Sequence, residues 1–101
     1  MSVGRYVVHV EQDISDLIPG FLNNRRRDVG TLREALGKKD FEVIQSLGHI
    51  MKGTGAGYGF EKISELGKGL EDAAKAGDEA TARNCVDQLD EFLLKVEVVY
   101  D

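Results

Sequence analysis

The sequence predicts an all-α protein, an antiparallel four-helix bundle with a short N-terminal capping segment. Three observations lead there. Apolar residues recur three and four positions apart in four successive segments, the spacing that lines one face of a helix. Short connections carrying glycine or aspartate separate those segments, which sets neighbouring helices antiparallel. Proline occurs once and tryptophan not at all, a poor fit to a turn-rich β sandwich. The 101 residues, 42% apolar and 31% charged, suit one globular domain and not a disordered chain. A single domain is expected over 1–101, with its motif-bearing part over about 18–80.

The elements follow in order. Residues 3–10, VGRYVVHV, are short and β-branched, and an arm, a strand or a lead-in to a helix all fit. Asp13 offers an N-cap to a short segment that stops near Pro19. From Pro19, a first-turn residue, Ile18, Phe21, Leu22, Arg25, Val29, Leu32 and Leu36 keep the helical period. Gly37 is the expected stop. Asp40 caps a second helix with Phe41, Ile44, Leu47 and Met51 on its apolar face. A third runs from about Gly59 with Phe60, Ile63, Leu66, Leu70, Ala73 and Ala74. Gly77 ends it and Asp78 caps the last helix, whose face holds Ala82, Cys85, Leu89, Phe92, Val96 and Val99. Cys85 on that face reads as a buried structural thiol.

Charge and composition exclude several function classes. A formal net charge of −5 disfavours nucleic acid, which needs a dense basic footprint. The run Arg25-Arg26-Arg27 reads as a solvated helix face. A lone cysteine forms no internal disulfide and suits a reducing compartment. No stretch approaches the roughly 18 apolar residues of a membrane span. The opening MSVGRYVVHV lacks the long apolar core of a signal peptide. A cytoplasmic location, with no membrane partner, is expected.

The chemistry concentrates in LGHIMKGTGAGYGF, residues 47–60. It is no nucleotide phosphate loop, because its lysine precedes the glycines and no Gly-Lys-Ser/Thr follows. The dinucleotide fingerprint fails in its glycine count, and no strand precedes it. His9 and His49 lie far apart without ligands at metal spacing, so no metal site is assigned. Ser46 has neither the constrained turn nor the orienting acid of a hydrolytic nucleophile.

On a helix over 40 to about 56, His49 is two residues from both Leu47 and Met51. At about 100° per residue it points roughly 160–200° away from each, toward solvent. An exposed neutral imidazole keeps a nucleophilic nitrogen. Lys52 at i+3 can bring positive charge over the same patch, and Gly53 at i+4 leaves the space beside the ring bare. Three glycines inside a helix (Gly48, Gly53, Gly55) would cost about 3 kcal/mol relative to alanine. Close packing between helices or close approach by another macromolecule would compensate. Periodicity alone leaves two readings of His49 open, an ordinary surface residue or a functional nucleophile.

HIMKGTGAGYGF resembles the signature of histidine phosphotransfer (HPt) domains: His-x-x-Lys-Gly, a run of small residues, then glycine and an apolar residue. The matching positions are His49, Lys52, Gly53, Gly55, Ala56, Gly59 and Phe60. The resemblance extends through LGKGLEDAAKAGD at Leu66, Leu70, Glu71, Ala73, Ala74, Gly77 and Asp78, and more loosely over FLNNRRRDVGTLREALGKKD. It implies a four-helix bundle with the histidine exposed midway along a helix. It implies that His49 accepts a phosphoryl group from the aspartyl phosphate of a receiver domain and passes it on. Lys52 would neutralise the phosphoryl oxygens and Gly53 would give the partner clearance. Magnesium would be held by the receiver, and no cofactor or metal belongs to this chain. Such a protein is a phosphoryl carrier and not a kinase. Its partners would be response-regulator receiver domains or a hybrid sensor histidine kinase.

Two other classes compete. The phosphoacceptor domain of a sensor kinase typically follows its histidine with an acidic residue and then a proline. Here Ile50 follows, and no proline occurs after Pro19. The phosphoacceptor domain of chemotaxis kinases shares His-x-x-Lys-Gly and stays open. A helical interaction module without chemistry is the other class, and the intact His49-Lys52-Gly53 set argues against it. The last segment, KVEVVYD, and the first, YVVHV, lie outside the motif. Arg25 interrupts an apolar stripe and is a candidate for added positive charge near the site, or an ordinary arginine with a packed stem.

Overall fold

The computed structural model describes residues 5–101. Strand β1 (Tyr6–Val10) leads through a 3-10 turn (Gln12–Leu17) into helix α1 (Ile18–Lys38). Helix α2 (Phe41–Gly55) and a second 3-10 turn (Ala56–Tyr58) precede helix α3 (Glu61–Ala76). Helix α4 (Glu79–Lys95) runs directly into strand β2 (Val96–Tyr100). α1 packs on α2 and α4, α2 on α3, and α3 on α4, which closes the expected four-helix bundle.

Local signals account for most boundaries. The Asp40 carboxylate accepts from the backbone N–H of Val43, and that of Asp78 from Thr81, each filling an orphan donor at a helix start. Gly77 closes α3 in the left-handed conformation at φ 66°. α1 does not stop at Gly37. It continues to Lys38, and Lys39 takes the left-handed position at φ 55°. The Asp40 N–H bonds to the Ala35 carbonyl, so the cap pairing of α1 and the start of α2 share one residue. Asp13 caps nothing with its side chain; Glu11 occupies the N-cap position of that 3-10 turn.

The tail differs most from expectation. Val96 and Val99 belong to β2, not to the last helix. β1 pairs with β2 in parallel, Tyr6 opposite Val96 through Val10 opposite Tyr100. The Asp101 N–H donates to the Val10 carbonyl and the Gln12 N–H to that of Asp101, which extends the ladder at one end. This two-stranded clasp covers one end of the bundle. The Tyr6 ring lies 5.1 Å from that of Phe92; Phe92 meets Phe60 edge-on at 6.5 Å, and Phe60 lies 5.4 Å from Phe21. The aromatic series ties the clasp to α4, the α2–α3 connection and α1. Leu32, Ile44, Met51, Phe60, Ile63, Leu70, Val86 and Leu89 form the fully buried centre. Cys85 is buried in it, and burial pushes its thiol up.

Candidate functional site

The expected glycine cost inside α2 is offset by packing at two of its three positions, Gly48 and Gly55. A Cβ on Gly48 would sit 2.7 Å from the Glu71 backbone nitrogen and from the Gly67 carbonyl oxygen. A Cβ on Gly67 would meet the Lys52 nitrogen at 2.5 Å, and one on Gly55 the Ser64 nitrogen at 2.6 Å. These glycines let α2 and α3 approach backbone to backbone. Gly53 is different: a Cβ there would meet nothing within 4 Å. The space where its side chain would stand is open.

α2 remains helical through this stretch, so His49, Lys52 and Gly53 share one surface. Ser64 secures the far end, where its hydroxyl donates to the Lys52 carbonyl at 3.0 Å and accepts from the Ala56 N–H at 2.7 Å. The His49 side chain is 68% exposed, as the helical period requires. Its Nδ1 lies 2.9 Å from Oε2 of Glu71 on α3. Lys52 Nζ lies 2.7 Å from the other oxygen, Oε1. One carboxylate therefore holds both residues. The Glu71 side chain is only 7% exposed. Hydrogen bonds from Lys52, and next from His49, hold its carboxyl down at about 2, far below its ordinary 4.5.

The ionised Glu71 can only accept, so His49 Nδ1 carries the proton of this bond. In the neutral ring the lone pair is then on Nε2, on the solvent side. Sequence reasoning named Glu71 only as a position matching the family's next helix, without giving it a role. Its signal was a carboxylate in the apolar and small-residue stripe of Gly67, Leu70 and Ala74. Lys75, one turn on, places its ammonium 3.9 Å from Glu71 Oε2 and was also missed.

Arg25 does not join this group. Its Nε pairs with Asp28 Oδ2 at 2.9 Å, its Nη1 lies 3.5 Å from Thr54 Oγ1, and its guanidinium lies over the Phe21 ring. The two partners are 11% and 17% exposed, so Arg25 is packed against α2 and not part of a solvated face; Arg26 and Arg27 are exposed. Burial pushes the Asp28 carboxyl up, with Arg25 opposing. Its charge is taken up by Asp28. Among the described residues no group of three or more His, Cys, Asp or Glu side chains is placed to hold a metal ion. No helix there is long and apolar enough to cross a membrane.

Fold and site together define a class: a helical bundle presenting a carboxylate-oriented imidazole to solvent, with an ammonium one turn along. The Hpt domain family model matches residues 16–98, and the chain belongs to that family. Hpt domains are phosphotransfer modules of phosphorelays that work with two-component kinases and receivers, as phosphoryl carriers and not kinases. No curated protein and no solved structure matches the chain.

Proposed function

We propose that this chain, as one domain over 1–101, relays a phosphoryl group between receiver domains through Nε2 of His49. The observation that carries the reading is the 2.9 Å contact of Nδ1 with Glu71 beneath a ring that is 68% exposed. It fixes the tautomer and turns the nucleophilic nitrogen outward. In the proposed step Nε2 attacks the phosphorus of a receiver's aspartyl phosphate. The acyl O–P bond breaks, the N–P bond forms, and the aspartate leaves as a carboxylate. Nδ1 keeps its proton, so the ring gains positive charge, which Glu71 balances. Lys52 turns from Glu71 to the phosphoryl oxygens, and positioning with charge stabilisation supplies the catalysis.

Gly53 gives the receiver's active-site loops clearance over the helix backbone. Exposed Ile50 (48%) borders His49 and also lines a neighbouring groove with Leu17 (53%) and Thr54; Ile50 and Leu17 offer a receiver an apolar contact. The receivers, or a hybrid sensor kinase bearing one, are the proposed partners, and the cytoplasm the proposed setting.

The test is transfer from a phosphorylated receiver domain, following acid-labile, base-stable label on this chain. Label should appear on the wild type and not on His49→Gln. Equal label on both would remove His49 from the mechanism.

A further inference from the structure

Glu71 has one more hydrogen-bond donor close by than its two oxygens need at rest. Oε1 is held by Lys52 at 2.7 Å, and Oε2 by His49 Nδ1 at 2.9 Å. Lys75 waits at 3.9 Å from Oε2, beyond a close hydrogen bond, on a side chain that is 56% exposed and free to turn. The proposed relay asks Lys52 to leave. That departure would strip a nearly buried carboxylate of its shortest contact at the moment the phosphoryl group arrives. Uncompensated, it would hold Lys52 back.

We propose that Lys75 is a positioning residue that takes over Glu71 when Lys52 moves to the phosphoryl group on His49. This rests on the His49 reading and adds a residue to it. Lys75 sits one turn from Glu71 on α3, so a side-chain rotation closes the 3.9 Å gap without moving backbone. Its neighbours allow the move. The nearby acid Asp72 is paired with Lys68 at 2.9 Å, and the α2 side of the pocket beside His49 is lined by Glu42, Gln45 and Ser46. With the His49 ring, which gains positive charge, on one oxygen and Lys75 drawn in, Glu71 keeps close partners while one ammonium is passed outward.

The test uses phosphoramidate, a small phosphoryl donor, so that no receiver contact enters. Nε2 attacks phosphorus, the donor's P–N bond breaks, ammonia leaves, and Nδ1 keeps its proton. Phosphohistidine formation is followed by phosphorus NMR on the full chain. Lys75→Met should slow it about threefold to fivefold, the upper part of the range for a half-exposed ion pair, and Lys75→Arg should restore it. In a Glu71→Gln background, where no buried charge needs a replacement cation, Lys75→Met should have no further effect. Equal rates for wild type and Lys75→Met, or an undiminished effect beside Gln at position 71, would overturn the exchange. Loss of the phosphohistidine signal in His49→Gln alone checks the underlying reading. Persistence there at the wild-type rate, which the exposed His9 would have to carry, would sink that reading, whatever Lys75 does.

Discussion

Glu71 organises the chemistry although it touches no phosphate at rest. Its carboxyl has a folded value of about 2 against an ordinary 4.5. As pH falls, the unfolded chain therefore takes up this proton first. The stability Glu71 contributes above about pH 4.5 is lost progressively as pH falls to about 2. Urea midpoints measured between pH 5 and pH 2 should fall along that window in wild type. Glu71→Gln, of nearly the same shape, should flatten its share of the slope. An unchanged slope would mean the carboxylate is not held as described. The same substitution frees Nδ1, and nitrogen NMR of His49 should show the Nδ1–H form losing its dominance. His49, Lys52 and Gly53 were legible as residues because helical spacing gathers them on one face. Glu71 was not, because the pairing of α2 with α3 spans 22 positions in sequence and no local period reports it.

Helix α2 separates two uses of glycine that a sequence cannot tell apart. Gly48 and Gly53 are both interior, and both carry the same propensity cost of roughly 1 kcal/mol. Their surroundings are opposite. Gly48→Ala would drive a methyl group to 2.7 Å from α3 backbone, which cannot yield as a side-chain end does. A loss of about 1–3 kcal/mol is expected, with α2 and α3 pushed apart. Gly53→Ala meets open space and should gain up to about 1 kcal/mol from helix propensity. That gain should come with slower transfer from a receiver and unchanged phosphorylation by phosphoramidate, since a small donor needs no clearance. Denaturant titration of both variants, beside both transfer rates, checks the contrast. The helix starts at Asp40 and Asp78 were readable because capping is local. The stop after Lys38 was not, because Gly37 tolerates helix and the tight turn to Asp40 set the end instead.

The whole molecule keeps its closure apart from its chemistry. The clasp of β1 and β2 lies against the α2–α3 connection, where a Cβ on Gly59 would meet Val10 at 3.7 Å. His49 lies six residues, about 9 Å, back along α2 from Gly55. A strand was one of the readings open for residues 3–10, and a capping segment was expected there. β2 and the pairing escaped sequence reading because Val96 and Val99 continue the three-and-four spacing of α4 from Phe92. A short β-branched run is also ambiguous between helix and strand. Its partner strand is 90 positions away, Tyr6 opposite Val96. A parallel pair of five-residue strands has little stability alone, so side chains that reach the core must anchor it. Val10 is that anchor, 3% exposed at the end of β1. Val10→Ala removes two buried carbons and should cost about 1.5–2 kcal/mol, at roughly 0.8 for each. For a domain of this size that is a fall in Tm of about 6–15 °C. Below the transition, phosphohistidine formation from phosphoramidate should match wild type, because the clasp contributes no group to the His49 surface. A rate that falls with stability at temperatures where the variant is folded would show instead that the clasp helps set the geometry of α2 at His49.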